Sequence, residues 1–204
     1  MQADWLAGRV ALVNGGGTDL GQAVALALAE AGAAVAVGHV NPTQADAVAD
    51  AILACGGRAR GWAADPGNKF QVAALIEQLR DEFEGLHLVV NVWFVNKQTP
   101  FLTLDEYDWR RVIEMNLTGA FFLTQLAARV MADEDGGHIL HVVPRVTTEN
   151  QTPAFAASCA AVKAFSAAVD AALAPQVRVS TLEAQSEPAQ TVRAVLETVR
   201  HMSH

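Results

Sequence analysis

Short apolar runs alternate with helix-patterned stretches along the whole chain, and this alternation limits the fold more than any other feature. Residues 10–13, 35–37, 58–63, 88–92, 139–143 and 177–181 read as strands. Residues 20–31, 44–54, 70–83, 104–131, 154–173 and 188–201 read as helices. Gly32, Gly56-Gly57, Gly85, Gly136-Gly137 and Pro175 supply the stops, and Pro42-Thr43 supplies a start. The strand runs are continuously apolar, as when both faces of a sheet are covered. Strands joined by helices pair in parallel through right-handed crossovers. The expected fold is therefore α/β: a doubly wound, mostly parallel sheet of about six strands with helices on both faces. The 204 residues suit one domain over 1–204, with no linker or repeat to divide it.

Charge narrows the partners. A formal charge of −8 gives no basic footprint for a polyanion, so nucleic acid is not expected. Cys55 and Cys159 lie far apart, and no Cys/His spacing suggests a disulfide framework or a metal site. A cytoplasmic setting is the expectation. The first ten residues do not have the pattern of a secretory signal. The apolar stretch 23–37 is broken by Glu30 and Gly32, so a membrane span is not expected there.

The first strand runs into Asn14-Gly15-Gly16-Gly17-Thr18-Asp19-Leu20-Gly21 and then a helix. Glycines let such a loop turn tightly and bring backbone close to a ligand. The helix start beyond offers free N–H groups and a positive dipole end, which suit a diphosphate. A loop serving only strand–helix packing is the alternative. Residues 104–131 carry apolar side chains on more than one stripe, and 154–173 is rich in Ala and Ser. Together they suggest a homo-oligomer built on these two helices, against the alternative of a helix deep in a monomer core.

On these motifs the chain resembles the short-chain dehydrogenase/reductase (SDR) family, from about Leu6 to Val199. Gly15 and Gly21 match the first and last glycines of the family's T-G-x-x-x-G-x-G loop, with Gly17 and Leu20 inside it. Asn14 stands for the Thr, and Asp19 stands for the middle glycine. At the end of the second strand, His39 replaces an acidic residue that holds the ribose hydroxyls. Asp65 matches a position that contacts adenine. Asn91 is what remains of the N-N-A-G motif, now Asn91-Val92-Trp93-Phe94. The large rings of Trp93 and Phe94 are expected either to crowd a nicotinamide ribose or to fill its place. The resemblance implies NAD as a possible cofactor, on a weakened site.

Met115-Asn116-Leu117-Thr118-Gly119 matches the family's helix that carries a catalytic Asn, here Asn116. The other catalytic positions have changed. Pro144 stands for the Ser, Phe155 for the Tyr and Cys159 for the Lys of Y-x-x-x-K. Carbonyl reduction in this family uses a phenol to deliver a proton and an ammonium to lower its pKa, and none of these three side chains does either. The family's P-G segment, substrate lid and seventh strand have no counterpart after residue 181. Cys159 reads as a buried, inert thiol. His138 and His141 read as structural, and the four Trp as packing. The expectation is a non-catalytic SDR-like subunit that binds or assembles, with itself or with a partner of the same fold. An NAD(P)-dependent oxidoreductase with an unconventional active site and a nucleotide or small-ligand sensor are the alternatives.

Overall fold

A computed structural model describes residues 4–202. Its centre is a six-stranded sheet in the order β3-β2-β1-β4-β5-β6, with every pairing parallel. The strands are β1 (Val10–Asn14), β2 (Ala34–His39), β3 (Arg58–Ala63), β4 (Leu88–Asn91), β5 (Gly137–Val143) and β6 (Val177–Glu183). The helices are α1 (Asp19–Glu30), α2 (Pro42–Ala54), α3 (Lys69–Phe83), α4 (Glu106–Ile113), α5 (Gly119–Asp133), α6 (Pro153–Leu173) and α7 (Pro188–Met202). The expected doubly wound α/β fold is the observed one.

Strand alternation divides the core into two layers. Ala11, Val13, Val35, Val37, Leu88, Val90, Leu140 and Val142 face α1, α2 and α7. Val10, Leu12, Ala34, Ala36, Val89, Ile139, Val177 and Val179 face α3, α5 and α6. β1, β2 and β4 are buried along their whole length, which is why they read as unbroken apolar runs. β6 is an edge strand, and its exposed Arg178, Thr181 and Glu183 break the run.

Several boundaries differ from the reading of the sequence, and two of them shape the site. Residues 104–131 do not form one regular helix. Asp105 caps α4 by accepting from the Asp108 amide, and a π-helical turn over Glu114–Thr118 separates α4 from α5. The extra residue in that turn shifts the inward face, so apolar positions on two sequence stripes can serve one core. β6 continues past residue 181 to Glu183, paired throughout with β5. α6 is by length and composition also long and apolar enough to cross a bilayer. In this fold its Phe155, Cys159, Val162 and Ser166 side packs inward.

Candidate cofactor cleft and active site

β1 pairs with β2 on one side and β4 on the other, so the chain leaves the sheet in opposite directions here. That opens a crevice at the carboxyl ends of the strands. Asn14, Gly38 and Asn91 stand abreast in it. Gly15 and Gly16 donate to the Gly38 carbonyl at 2.8 and 3.1 Å, which pins the loop to β2. Gly15 has φ 85°, a left-handed conformation that favours glycine. A side chain at Gly21 would lie 2.1 Å from the Gly15 carbonyl, so that glycine sets the closeness of loop and helix.

Thr18 caps α1. Its hydroxyl donates to the Gly15 carbonyl at 2.8 Å and accepts from the Gly21 amide at 3.1 Å. Capping thus falls to Thr18, not to Asp19, which sits exposed in the first turn. The amides of Gly17, Asp19 and Leu20 find no acceptor among the described residues. Free N–H groups at the positive end of a helix fit a diphosphate.

A buried polar chain braces the floor. Asn14 Nδ2 donates to Asn91 Oδ1 at 2.7 Å, and Asn91 Nδ2 donates to His141 Nδ1 at 3.1 Å. The remaining His141 proton then sits on Nε2, 3.0 Å from the Thr124 hydroxyl. Burial, with His138 as a further contributor, lowers the His141 pKa to about 4, so the ring is neutral at pH 7.

Asn116 lies in the π-helical turn and is fully buried. Its Oδ1 accepts from the Val95 amide at 2.7 Å, and its Nδ2 donates to the Val95 carbonyl at 2.8 Å and to Ser158 Oγ at 2.9 Å. Ser158 Oγ in turn donates to the Phe155 carbonyl at 2.9 Å. One side chain thus fastens the segment after β4 to the first turns of α6. Ser158 was not singled out in the sequence, because a helical Ser beside Ala residues carries no pattern of its own.

The other active-site positions are apolar. Phe155 and Cys159 join Ala120, Val143 and Val162 in a small core patch, flanked by Phe94, Leu117 and Val146. Burial pushes the Cys159 thiol up to about 11, against the opposing effect of Lys163. That thiol is protonated at neutral pH and a poor nucleophile. Pro144 follows β5 directly. Beside this patch, exposed charges gather at the ends of β5 and β6. Lys163 Nζ lies 2.7 Å from Glu183 Oε2, and Arg145 Nε lies 3.9 Å from Glu183 Oε1. The bond from Lys163 holds the Glu183 carboxyl below its ordinary pKa.

The two large rings after β4 separate. Phe94 joins the Phe155 patch. Trp93 instead meets His39 edge to face, ring centroids 5.1 Å apart, across the end of β1. His39 is 5 % exposed, and its Nδ1 accepts from the Asn41 amide at 3.1 Å. Burial pushes the His39 pKa down, so the ring offers no charge to a 2′-phosphate. The indole N–H of Trp93 is buried without an acceptor among the described residues. Next to Trp93, Asp65 accepts from the Gly67 amide at 2.9 Å and pairs with Arg111 at 3.2 Å. These groups line a cavity of about 530 Å³ with Lys97, Tyr107 and Val112. Arg111, Lys97 and Tyr107 come from elements far from Asp65 in sequence, and only the fold brings them together.

Comparison with known proteins decides the lineage. The family described as short chain dehydrogenase matches residues 9–193. The chain belongs to the short-chain dehydrogenase family. Within the SDR family it is 36% identical over 138 residues to a 3-oxoacyl-[acyl-carrier-protein] reductase of Synechocystis sp., covering 67% of this chain and 56% of that protein. It is 40% identical over 135 residues to a cis-4-hydroxycyclohexanecarboxylate dehydrogenase of Sinomonas cyclohexanicum, covering 66% and 54%. The chain thus spans about half the length of the curated relatives it matches. A metagenomic short-chain oxidoreductase solved in complex with NADP is 25% identical with a TM-score of 0.88, covering 98% of this chain and 93% of that one.

These findings overturn the expectation of a non-catalytic subunit. The relatives are named as reductases and dehydrogenases, which favours the oxidoreductase alternative over that reading. Loss of one route of proton delivery is not loss of the chemistry. Replacing a phenol and an ammonium removes that route but leaves the loop amides and the Asn116 clamp in place.

Proposed function

We propose that this chain is an NAD(P)-dependent oxidoreductase of the SDR type, which interconverts a carbonyl and a secondary alcohol and delivers the proton from a group other than residue 155. The observation that carries this reading is the loop. Three free amides at the start of α1, held by Thr18 and by two bonds to Gly38, are shaped for a diphosphate. The kinship with named oxidoreductases and the likeness to an NADP complex support it.

In this reading Gly17, Asp19 and Leu20 hold the diphosphate through their backbone, and Asn91 braces the floor below. Asp65 lies beside the adenine end, and His39 takes the place of the ribose acid. A nicotinamide cofactor, if held there by these residues, would supply or accept the hydride. Asn116 keeps the segment after β4 against α6 and so fixes the width of the cleft. Lys163, bonded to Glu183, carries an ammonium one helical turn beyond Cys159, the position of the family's lysine. Its Nζ protonates the carbonyl oxygen in reduction and is restored from solvent. Both Asp19 and the Trp93–His39 pair weaken cofactor binding without closing the loop.

The working form is a cytoplasmic homo-oligomer. Exposed Ala157, Ala160, Ala164 and Ala168 make a smooth stripe along α6, and Phe121 and Phe165 meet edge to face beside it. Close helix approach between two copies suits such a surface. A partner chain of the same fold would use the same helices.

Calorimetric titration with NADH and NADPH, followed by turnover assays with 3-oxoacyl thioesters and cyclic hydroxy acids, tests the proposal. Saturable binding of at least one dinucleotide and cofactor-dependent turnover are expected. Absence of binding by both overturns it.

A further inference from the structure

A cavity of about 280 Å³ lies at the amino-terminal edge of the sheet, at the opposite end of the strands from the glycine loop. His138 shares a strand face with Leu140 and Val142, which pack under α1 and α7, and Leu6, Leu88 and Val199 line the same space. His87 Nδ1 accepts from the Val10 amide at 3.1 Å, so the neutral ring carries its proton on Nε2. His138 is 6 % exposed, with Nε2 2.7 Å from Ser180 Oγ and Nδ1 without a partner among the described residues. Either tautomer meets this contact; the one in which the Ser180 hydroxyl donates to Nε2 gives that hydroxyl its acceptor among the described residues. A neutral His138 then keeps a proton on Nδ1, a buried donor lacking an acceptor. Such a group is destabilising while it stays unmet.

The rim adds charge. Arg9 has no carboxylate within ion-pair distance among the described residues, while Arg178 is held by Asp170 at 2.8 Å. Asp135 is the one carboxylate of the lining. α5 and α6 both end nearby and present the negative ends of their dipoles. Arg9 and the N–H donors favour a negative group, while Asp135 and the two helix ends act against excess negative charge, so one anionic group is the most the wall suits.

We propose that this cavity is a second ligand site for a small monocarboxylate, whose oxygens accept from His138 Nδ1–H and from the Arg9 guanidinium. It stands independently of the dinucleotide reading. The test is titration of the full chain with propionate, observed through the imidazole ¹⁵N resonances, with propionamide, succinate and inorganic phosphate in parallel. Propionate is expected to saturate and to shift His138 Nδ1, and Arg9→Gln, a change at an exposed side chain, is expected to weaken it about tenfold. Propionamide, succinate and phosphate should each bind more weakly. The proposal fails if propionate leaves His138 unmoved, if Arg9→Gln binds propionate as the parent does, or if any of the three comparison compounds binds as tightly as propionate.

Discussion

At the scale of single residues, the site combines the Asn116 clamp with an apolar patch around Phe155 and Cys159. Lys163→Met is expected to lower kcat by about 10²-fold or more while leaving dinucleotide affinity within a factor of two, as when general acid–base catalysis is lost. Stopped-flow turnover beside calorimetry reads both, and an unchanged kcat would remove Lys163 from the mechanism. Trp93→Ala takes away the ring that spans from β4 to His39. Dinucleotide affinity should rise several-fold, and the change is measured by the same titration. The buried histidines give a pH signature. His138 and His141 each have a folded pKa of about 4, below the usual 6.5. The unfolded chain therefore binds more protons between these values, and stability falls as pH drops from about 6.5 to 4. Each ring accounts for up to about 3 kcal/mol of that loss. Urea unfolding at several pH values should show it, and His141→Asn should flatten part of the slope. The residue identities at Asn116, Pro144, Phe155 and Cys159 were legible in the sequence. Their surroundings were not, because the patch around Phe155 is drawn from four separate segments.

At the scale of elements, local chemistry explains most boundaries. Asn41, Asn68 and Asp105 cap α2, α3 and α4 through side-chain oxygens, as Thr18 caps α1. Thr18→Ala is expected to cost about 1 kcal/mol of stability and Thr18→Ser nearly nothing. Thermal denaturation of the two variants checks this, and dinucleotide binding should weaken only in the first. The buried strands were readable because continuous apolar runs have no other economical use in a chain of this kind. The π-helical turn was not readable, since Asn116 within it is tied by three hydrogen bonds to partners 21 and 42 residues away, which local sequence does not reveal. α3 closes on Glu84 in a left-handed conformation, φ 64°, one residue before the glycine that marked its end in the sequence.

At the scale of the whole molecule, the sheet sets two cavities at opposite ends of the strands and an exposed helix face at the side. If two copies meet along α6, Ala164→Glu should convert the dimer to a monomer in light scattering while leaving far-ultraviolet circular dichroism unchanged. A parent protein of monomer mass would refute that assembly.

The place of β1 in the middle of the sheet has its own consequence for how the protein is made. Its neighbour on one flank, β2, follows almost at once, but the neighbour on the other, β4, begins only at Leu88. A chain emerging from the ribosome can therefore zip up the β1-β2-β3 flank early, while the second side of β1 waits for many more codons. Until then its apolar side chains want cover, and a pause in translation shortly before Leu88 would prolong that interval and favour chaperone capture or aggregation.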